Sequence, residues 1–403
     1  MRRNDEFVLT ALLSLNFGLV FLDRNALNYM MPFVAPDLKL ATSQIGLLAG
    51  ATALSWALSG MIFSSVSDRT GRRKRIVLIA TIAFSLLSIA SGFATGFLSL
   101  LLIRFALGAA EGPILPLSQA IVADEARPER RGLLMGLMNN FGSNLVGVMI
   151  APPLLVAIAE TAGWRAGFFV AGLPGLIMAV LILLLVREPE RRAAIEIDAG
   201  APRDWGALLR SRNLLLCMLI SCCMLAWTIL GWAFLPVQFV QGNGFAPGAM
   251  GGLMAVLGAS AVVSSILVPG LSDRIGRKPA IVLFASLGVV PPLATTFSGL
   301  DPWALAPLLF LGWTASGTLP LFMATIPAES TSPGQLATAM ALVMGVGEVI
   351  GGAVMPVVAG FAGDGHGLVA VMMIQAACAV LAALIALFLI ETAPFRRHRP
   401  AAA

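Results

Sequence analysis

The chain has 403 residues, of which 58% are hydrophobic and only 12% are charged, and its mean hydropathy is +0.90. A soluble domain has about 45–50% apolar and about 25% charged residues, so this composition excludes a soluble protein. Apolar stretches of roughly twenty residues recur along the chain, which predicts membrane-spanning helices rather than a β-barrel.

Hydropathy predicts an all-α integral membrane protein with twelve transmembrane helices in two pseudo-symmetric six-helix bundles. One sizeable hydrophilic stretch divides the chain, so we predict an N-terminal bundle at 1–186, a cytoplasmic linker at 187–212, and a C-terminal bundle with a short cytoplasmic tail at 213–403. The predicted spans are 7–34, 44–65, 76–95, 98–121, 133–158, 165–186, 213–240, 248–269, 280–298, 303–326, 335–361 and 367–390.

The chain has a formal net charge of +5, and the positions of its basic residues explain this excess. Lys and Arg concentrate on the side of the predicted membrane that holds both termini and the linker, whereas the other side holds only Lys39 and Arg165. By the positive-inside rule, the termini and the linker are cytoplasmic, and we expect the bacterial inner membrane. The basic excess is therefore a matter of topology, and we expect no nucleic-acid partner.

Span one carries two ionisable residues near its middle, Asp23 and Arg24. Each such residue at bilayer depth costs about 2.5–3.5 kcal/mol, so both need partners or a wet cavity. Adjacent helical residues point about 100° apart, so the two side chains cannot both face one pocket. Span four adds Arg104 and Glu111, which are seven residues apart and therefore share one helix face, and span eleven adds Glu348.

Two interpretations of these charges are open. One is a structural network of buried salt bridges, Asp23 with Arg104 and Arg24 with Glu111, although desolvation cancels most of the stabilisation in such pairs. The other is coupling between an anion and a proton. When an anionic substrate engages the arginine, the neighbouring carboxylate loses its partner and takes up a proton, so the two bind cooperatively. We favour the functional interpretation.

The two halves of the sequence repeat. SDRTGRRKRIVL at 67–78 returns as SDRIGRKPAIVL at 272–283, and GLMNNFGSNLVGVMIAP at 136–152 returns weakly as ALVMGVGEVIGGAVMP at 341–356. The D-R-x-G-R-R loop resembles the signature of the major facilitator superfamily, which implies a transporter whose two bundles alternate about a midplane site. The charged loop predicts a cytoplasmic gate that closes in one state and opens in the other. Its candidate residues are Asp68, Arg69, Arg72, Arg131, Asp273 and Arg274.

Two further motifs narrow the resemblance. They are D-R-x-x-L-x-x-x-x-P in span one (Asp23, Arg24, Leu27, Pro32) and R-x6-E-G-x3-P in span four (Arg104, Glu111, Gly112, Pro116), followed by PERRG at 128–132. Together they resemble the anion:cation symporter family of proton-coupled organic anion carriers. That resemblance implies protonation at Asp23 and Glu111, substrate binding by Arg24 and charge tuning by Arg104, with Trp56 standing where the family often has Tyr.

A second resemblance stays open. GWRAGFFVAGLPG at 163–175 and REPER at 187–191 are similar to spinster-like lysophospholipid carriers, and a proton-antiport drug exporter would share the same fold. Those carriers usually read Glu-Ala in span four, where this chain reads Glu111-Gly112, so we favour the organic-anion symporter.

Further residues within the spans are candidates for substrate binding. They are Asn28, Trp56, Asn140, Asn144, Trp227, Thr228, Trp313 and Glu348. Few polar groups and several aromatic rings favour an amphiphilic or aromatic carboxylate as the substrate. The sequence shows no nucleophile–base arrangement, nucleotide loop or metal-ligand cluster, so we expect no catalytic residue, no metal and no cofactor other than the coupling proton. The expected partners are a small organic anion and the lipid bilayer, and we expect a monomer.

Overall fold

The computed structural model describes residues 5–127, 134, 137, 138, 142–186, 208, 210–331 and 335–393. Every regular element among them is a helix, and twelve helices are long and apolar enough to cross a membrane, which confirms the predicted number of spans. They are α1 (Glu6–Asp37), α2 (Thr42–Ser67), α3 (Arg73–Ser91), α4 (Phe97–Glu125), α5 (Leu145–Ala162), α6 (Trp164–Leu185), α7 (Arg212–Gly242), α8 (Pro247–Ile275), α9 (Arg277–Phe297), α10 (Pro302–Ser330), α11 (Thr338–His366) and α12 (Leu368–Ala386). The start of predicted span five, 133–158, lies largely outside the described residues.

Contacts divide the described residues into two units. One lies within 1–197 and 245–258, and the other lies within 198–244 and 259–403, so the first turns of α8 belong to the first unit. The predicted bundle boundaries at 186 and 213 stay a prediction, since most of the segment between them lies outside the described residues.

The helices pair in the same order within each unit. In the first unit, α1 packs against α5 and α6, α3 packs against α4 and α6, and α2 packs against α4. In the second, α7 packs against α11 and α12, and α9 packs against α10 and α12. The Ser260 hydroxyl joins α8 to α10 by donating to the Phe310 carbonyl at 2.6 Å. This common pairing is what a duplicated six-span unit predicts.

Both units also contain a π-helical stretch at the same point of the repeat. One runs over Ser143–Ile150, from two residues before α5 into its first turns, and the other over Glu348–Val354 in α11, with first residues 205 positions apart. The preceding glycines, Gly142 and Gly347, pack against serines of α1 and α7, Ser14 and Ser221. Such stretches are uncommon in helices and often occur at functional sites.

The polarity of the surface is that of a membrane protein. Large hydrophobic side chains are exposed along the helices, with Ile266 76% and Leu184 72% exposed, whereas the carboxylates of Asp23 and Glu111 are fully buried. An apolar surface of this extent needs a covering, and a bilayer provides one. Together with the twelve apolar helices, this identifies an integral membrane protein.

Candidate functional site

The two adjacent charged residues of α1 lie in different environments. Asp23 is fully buried between helices, whereas Arg24 is partly exposed. An apolar core made of Phe17, Val20 and Phe84 fills the space one to two turns below them. The helical rotation of about 100° between neighbours therefore places the acid inside the first unit and the base at its accessible face.

The Asp23 carboxylate is held from α3 and α4. The Ser88 hydroxyl of α3 donates a hydrogen bond to Asp23 Oδ1, and Arg104 of α4 attracts the carboxylate electrostatically. Asp23 Oδ2 has no hydrogen-bond partner among the described residues. The acid is thus held by one hydroxyl donor and one nearby positive charge.

Arg104 is buried, with 1% of its surface exposed. Its guanidinium stacks over the Phe168 ring of α6, with Cζ 4.9 Å from the ring centre, and Nη2 donates to Ser91 Oγ at 3.4 Å. It interacts electrostatically with both Asp23 and Glu111. Within the described residues neither acid forms an ion pair with Arg104 inside 4.0 Å, so Arg104 attracts each acid through space without direct contact.

Glu111 ends the first half of α4, Phe97–Glu111, just before the turn at Gly112 and Pro113. Both carboxylate oxygens are buried and lack a hydrogen-bond partner in the part of the chain that the structure describes. The carboxylate is attracted by Arg24 and Arg104 and repelled by Asp23. Glu111 therefore depends on distant charges alone, whereas Asp23 also has a hydrogen bond.

Close packing of α2 on α4 brings Glu111 near the Arg24 side of the site. A Cβ at Gly112 would lie 2.8 Å from the Gly60 nitrogen and would overlap the Trp56 carbonyl. Only glycine at this position lets the two backbones approach so closely. Gly112 thus lets α4 pack closely on α2, the helix that carries Trp56, immediately after Glu111.

Arg24 forms the accessible part of the site together with Trp56 and Asn28, which are also partly exposed. The guanidinium lies over the Trp56 ring, with Cζ 4.8 Å from the ring centre. Asn28 donates to Asn25 Oδ1 at 3.3 Å. Among the described residues Arg24 makes no hydrogen bond or ion pair, so its N–H groups are available to a carboxylate.

The predicted substrate-binding residues of the second unit are two buried tryptophans and two partly exposed polar residues. Trp227 and Trp313 are fully buried with ring centres 4.5 Å apart, and the Trp227 indole N–H donates to the Gly288 carbonyl at 2.7 Å. Thr228 is partly exposed and donates to the Met224 carbonyl at 2.8 Å. Glu348 is partly exposed at the start of the π-helical stretch of α11.

Some predicted residues cannot be placed. Arg131 and Asn140 lie outside the described residues, and the structure does not describe the side chains of Asp68 and Asn144. The remaining predicted gate residues of the first copy, Arg69 and Arg72, are exposed.

At the second copy of the gate motif, the charges meet around an arginine that the sequence interpretation missed. Arg277 pairs with Asp273 at 2.5 Å and with Glu329 at 3.0 Å, whereas Arg274 is exposed. Glu391 accepts from the Arg277 backbone N–H at 2.8 Å and so caps the start of α9. In the first copy, Arg73 pairs with Asp124, which is 205 positions before Glu329. The offset between the two acids was the available signal. The arginines do not share it, since Arg277 lies 205 positions after Arg72 and not after Arg73.

Comparison with known proteins identifies the family. Residues 13–346 match the model of the Major Facilitator Superfamily. The chain belongs to this superfamily. It is a transporter and not an enzyme, as predicted.

Facilitator-superfamily relatives include carriers of different anions. The chain is 34% identical to the hexuronate transporter of Bacillus subtilis (strain 168) over 179 residues, which is 44% of this chain and only 42% of that relative. It is 28% identical to the 3-(3-hydroxy-phenyl)propionate transporter of Escherichia coli (strain K12), over 96% of this chain and 95% of that relative. A crystal structure of a bacterial homolog of the lysosomal transporter Spinster has the same fold, with a TM-score of 0.78, 17% identity, and coverage of 96% of this chain and 97% of that one.

Proposed function

We propose that this transporter imports an organic anion together with protons by alternating access. The observation that carries the proposal is the division of charges in the first unit. Arg24 lies on Trp56 at an accessible face with its N–H groups unengaged among the described residues, while Asp23, Arg104 and Glu111 are buried behind it.

The charge balance of this cluster supports coupling. Two guanidinium groups and two carboxylates sum to zero in the absence of substrate. A substrate carboxylate on Arg24 adds one negative charge, and an uncompensated charge at this depth is strongly unfavourable. Uptake of one proton by a buried acid restores neutrality, so anion and proton favour each other's binding by the same factor.

Glu111 is the acid that takes up this proton. It is attracted by Arg24, whereas Asp23 is held by Arg104 and by the Ser88 hydroxyl. A substrate that engages Arg24 therefore weakens the electrostatic support of Glu111 first. Asp23 stays ionised beside Arg104, and Arg104 keeps its place on Phe168.

The surroundings of Arg24 favour an aromatic or amphiphilic carboxylate. Trp56 offers a partly exposed ring beside the guanidinium, and Asn28, one turn further along α1, is a partly exposed amide. A ring and one amide suit an aryl acid better than they suit a sugar acid with several hydroxyl groups. Each unpaired hydroxyl of a bound sugar acid would lose its hydrogen bonds to water. The relative named for 3-(3-hydroxy-phenyl)propionate, matched over nearly the full chain, supports this class.

Proton flux in proteoliposomes tests the proposal. Vesicles that hold a pH-sensitive dye would receive 3-phenylpropionate, glucuronate or a lysophospholipid from outside. We expect inward proton movement with 3-phenylpropionate, a smaller response with glucuronate, and none with the lipid. Glu111→Gln should abolish the proton signal while substrate exchange across the membrane continues.

Two results would contradict the proposal. Outward proton movement driven by lipid or drug would identify an exporter on the same fold. Anion uptake that proceeds without proton movement in the wild type would remove the coupling role of the acids. A larger response to glucuronate than to 3-phenylpropionate would instead refute the aromatic substrate class alone.

A further inference from the structure

α3 carries a buried row of hydroxyl side chains that belongs to none of the charged motifs described above. Thr81, Ser85, Ser88 and Ser91 recur at helical spacing and are all fully buried. Ser85 donates to the Thr81 carbonyl within its own helix at 2.8 Å. Ser88 differs from Ser85 because its hydroxyl reaches two other helices, α1 and α6. Thr81 also contacts α1, at Asn16, and Ser91 accepts from Arg104 of α4. The row was readable in the sequence as a 3.6-residue period of Ser and Thr within an apolar segment.

Ser88 has two acceptors for one proton. Its Oγ lies within hydrogen-bond distance of Asp23 Oδ1 and of the Phe168 carbonyl, the latter at 3.2 Å. A hydroxyl donates one hydrogen bond at a time, and an ionised carboxylate is the stronger acceptor. The proton of Ser88 therefore points to Asp23 when that acid is charged, and it can turn to the Phe168 carbonyl when the acid is neutral.

Few other groups act on Asp23. The charged residues that face it are Arg104 and Glu111 of α4. The charged residues of the other helices packed on α1 lie at helix ends, at 73–75 of α3, at Glu160 of α5 and at Arg165 of α6. In the described residues Ser88 is thus the hydrogen-bond donor that distinguishes Asp23 from Glu111.

We infer that Ser88 is a positioning residue that holds Asp23 in its ionised form and so directs the coupling proton to Glu111. This inference rests on the proposed function, in which the two buried acids compete for one proton. The donor stabilises the charged form of one acid only, since Glu111 has no hydrogen-bond donor within the described residues. Without Ser88, Asp23 would compete with Glu111 for the proton.

Isotope-edited infrared spectroscopy tests this inference without a substrate. Purified full-length protein with ¹³C-labelled aspartate, held in lipid nanodiscs, would be acidified stepwise while protonated Asp and Glu carboxyl bands are followed separately. The Asp23 band is assigned by its loss in Asp23→Asn. We expect Glu111 to protonate before Asp23 in the wild type. In Ser88→Ala, the midpoint for Asp23 should move upward by about one pH unit, as loss of a hydrogen bond to a charged group implies.

Ser85→Ala is the matched control, because it removes a buried hydroxyl of the same helix whose hydrogen bond, among the described residues, goes to the Thr81 carbonyl of that helix and not to Asp23. It should leave the midpoint for Asp23 unchanged. Ser88→Cys is the second variant. It keeps a weaker donor of similar size, and its midpoint should lie between those of the wild type and Ser88→Ala.

An unchanged midpoint for Asp23 in both Ser88 variants would overturn the role of Ser88. So would an equal shift in Ser85→Ala, since the effect would then come from packing. Failure of the proposed function is separately visible in the proteoliposome assay, where wild-type protein would move no protons with any anion.

Discussion

Removal of Arg24 tests the substrate site most directly. Arg24→Ala deletes the guanidinium that lies 4.8 Å above the Trp56 ring and that has no hydrogen-bond partner among the described residues. A charge-assisted hydrogen bond to a carboxylate contributes about 1.5–3 kcal/mol, and truncation of a charged partner at a binding site costs about 2–5 kcal/mol. We therefore expect a loss of about 3 kcal/mol, or roughly 150-fold in Kd.

The assay is equilibrium binding of radiolabelled 3-phenylpropionate to protein in nanodiscs, with thermal stability measured in parallel. Arg24→Lys keeps the charge but replaces the planar fork by a point charge, so roughly tenfold weaker binding is expected. Arg212→Ala, at an exposed arginine that starts α7, is the matched control and should bind as the wild type does.

The combination of affinity and stability decides between the two interpretations of Arg24. Unchanged affinity in Arg24→Ala together with a lower melting temperature would show that the arginine supports the fold and does not bind substrate. Weaker binding at unchanged melting temperature is the result that the accessible position of Arg24 predicts.

Three further predictions follow from the same cluster. Asp23→Asn leaves two arginines with one acid, so a bound anion neutralises the cluster without a proton. Substrate accumulation driven by a proton gradient should therefore vanish while substrate exchange continues, and full accumulation would contradict the charge balance. Arg104→Met leaves two buried acids beside Arg24 and should destabilise the protein by about 3–5 kcal/mol. Adding Asp23→Asn should recover part of this loss in a thermal-shift assay, and strictly additive effects would argue against coupling between Arg104 and Asp23. Gly112→Ala should lower the melting temperature by forcing α2 away from α4. Gly345 is a helical glycine with open space around it, so Gly345→Ala should leave the melting temperature unchanged or raise it slightly. Equal effects of the two substitutions would contradict the packing role of Gly112.

The sequence predicted the parts of this protein that depend on single helices. Twelve apolar stretches define twelve spans because a bilayer of fixed thickness requires about twenty apolar residues for each crossing. The repeat of SDRTGRRKRIVL and SDRIGRKPAIVL predicted the duplicated unit, which the equivalent helix pairings and the two π-helical stretches bear out. The cluster residues Asp23, Arg24, Arg104 and Glu111 stood out because ionisable groups are rare at this depth.

The sequence did not show which partners these charges have. Hydropathy gives no information on how a helix is rotated against its neighbours, and serine is an inconspicuous residue in a transmembrane helix. The contacts of Ser88 with Asp23 and of Phe168 with Arg104 therefore emerged only in the tertiary structure, where α3 and α6 pack against α1. The same holds for Arg277, whose partners Asp273, Glu329 and Glu391 come from three separate segments of the second unit.

By itself, then, the sequence determined the number of spans, the repeat and the identity of the buried charges, since each is a property of composition along one helix. Only the tertiary structure decided that Asp23 is buried while Arg24 is accessible, and that the two acids differ in their hydrogen bonding. The physical reason is that these differences arise where faces of different helices meet, and residues far apart in the chain supply those faces.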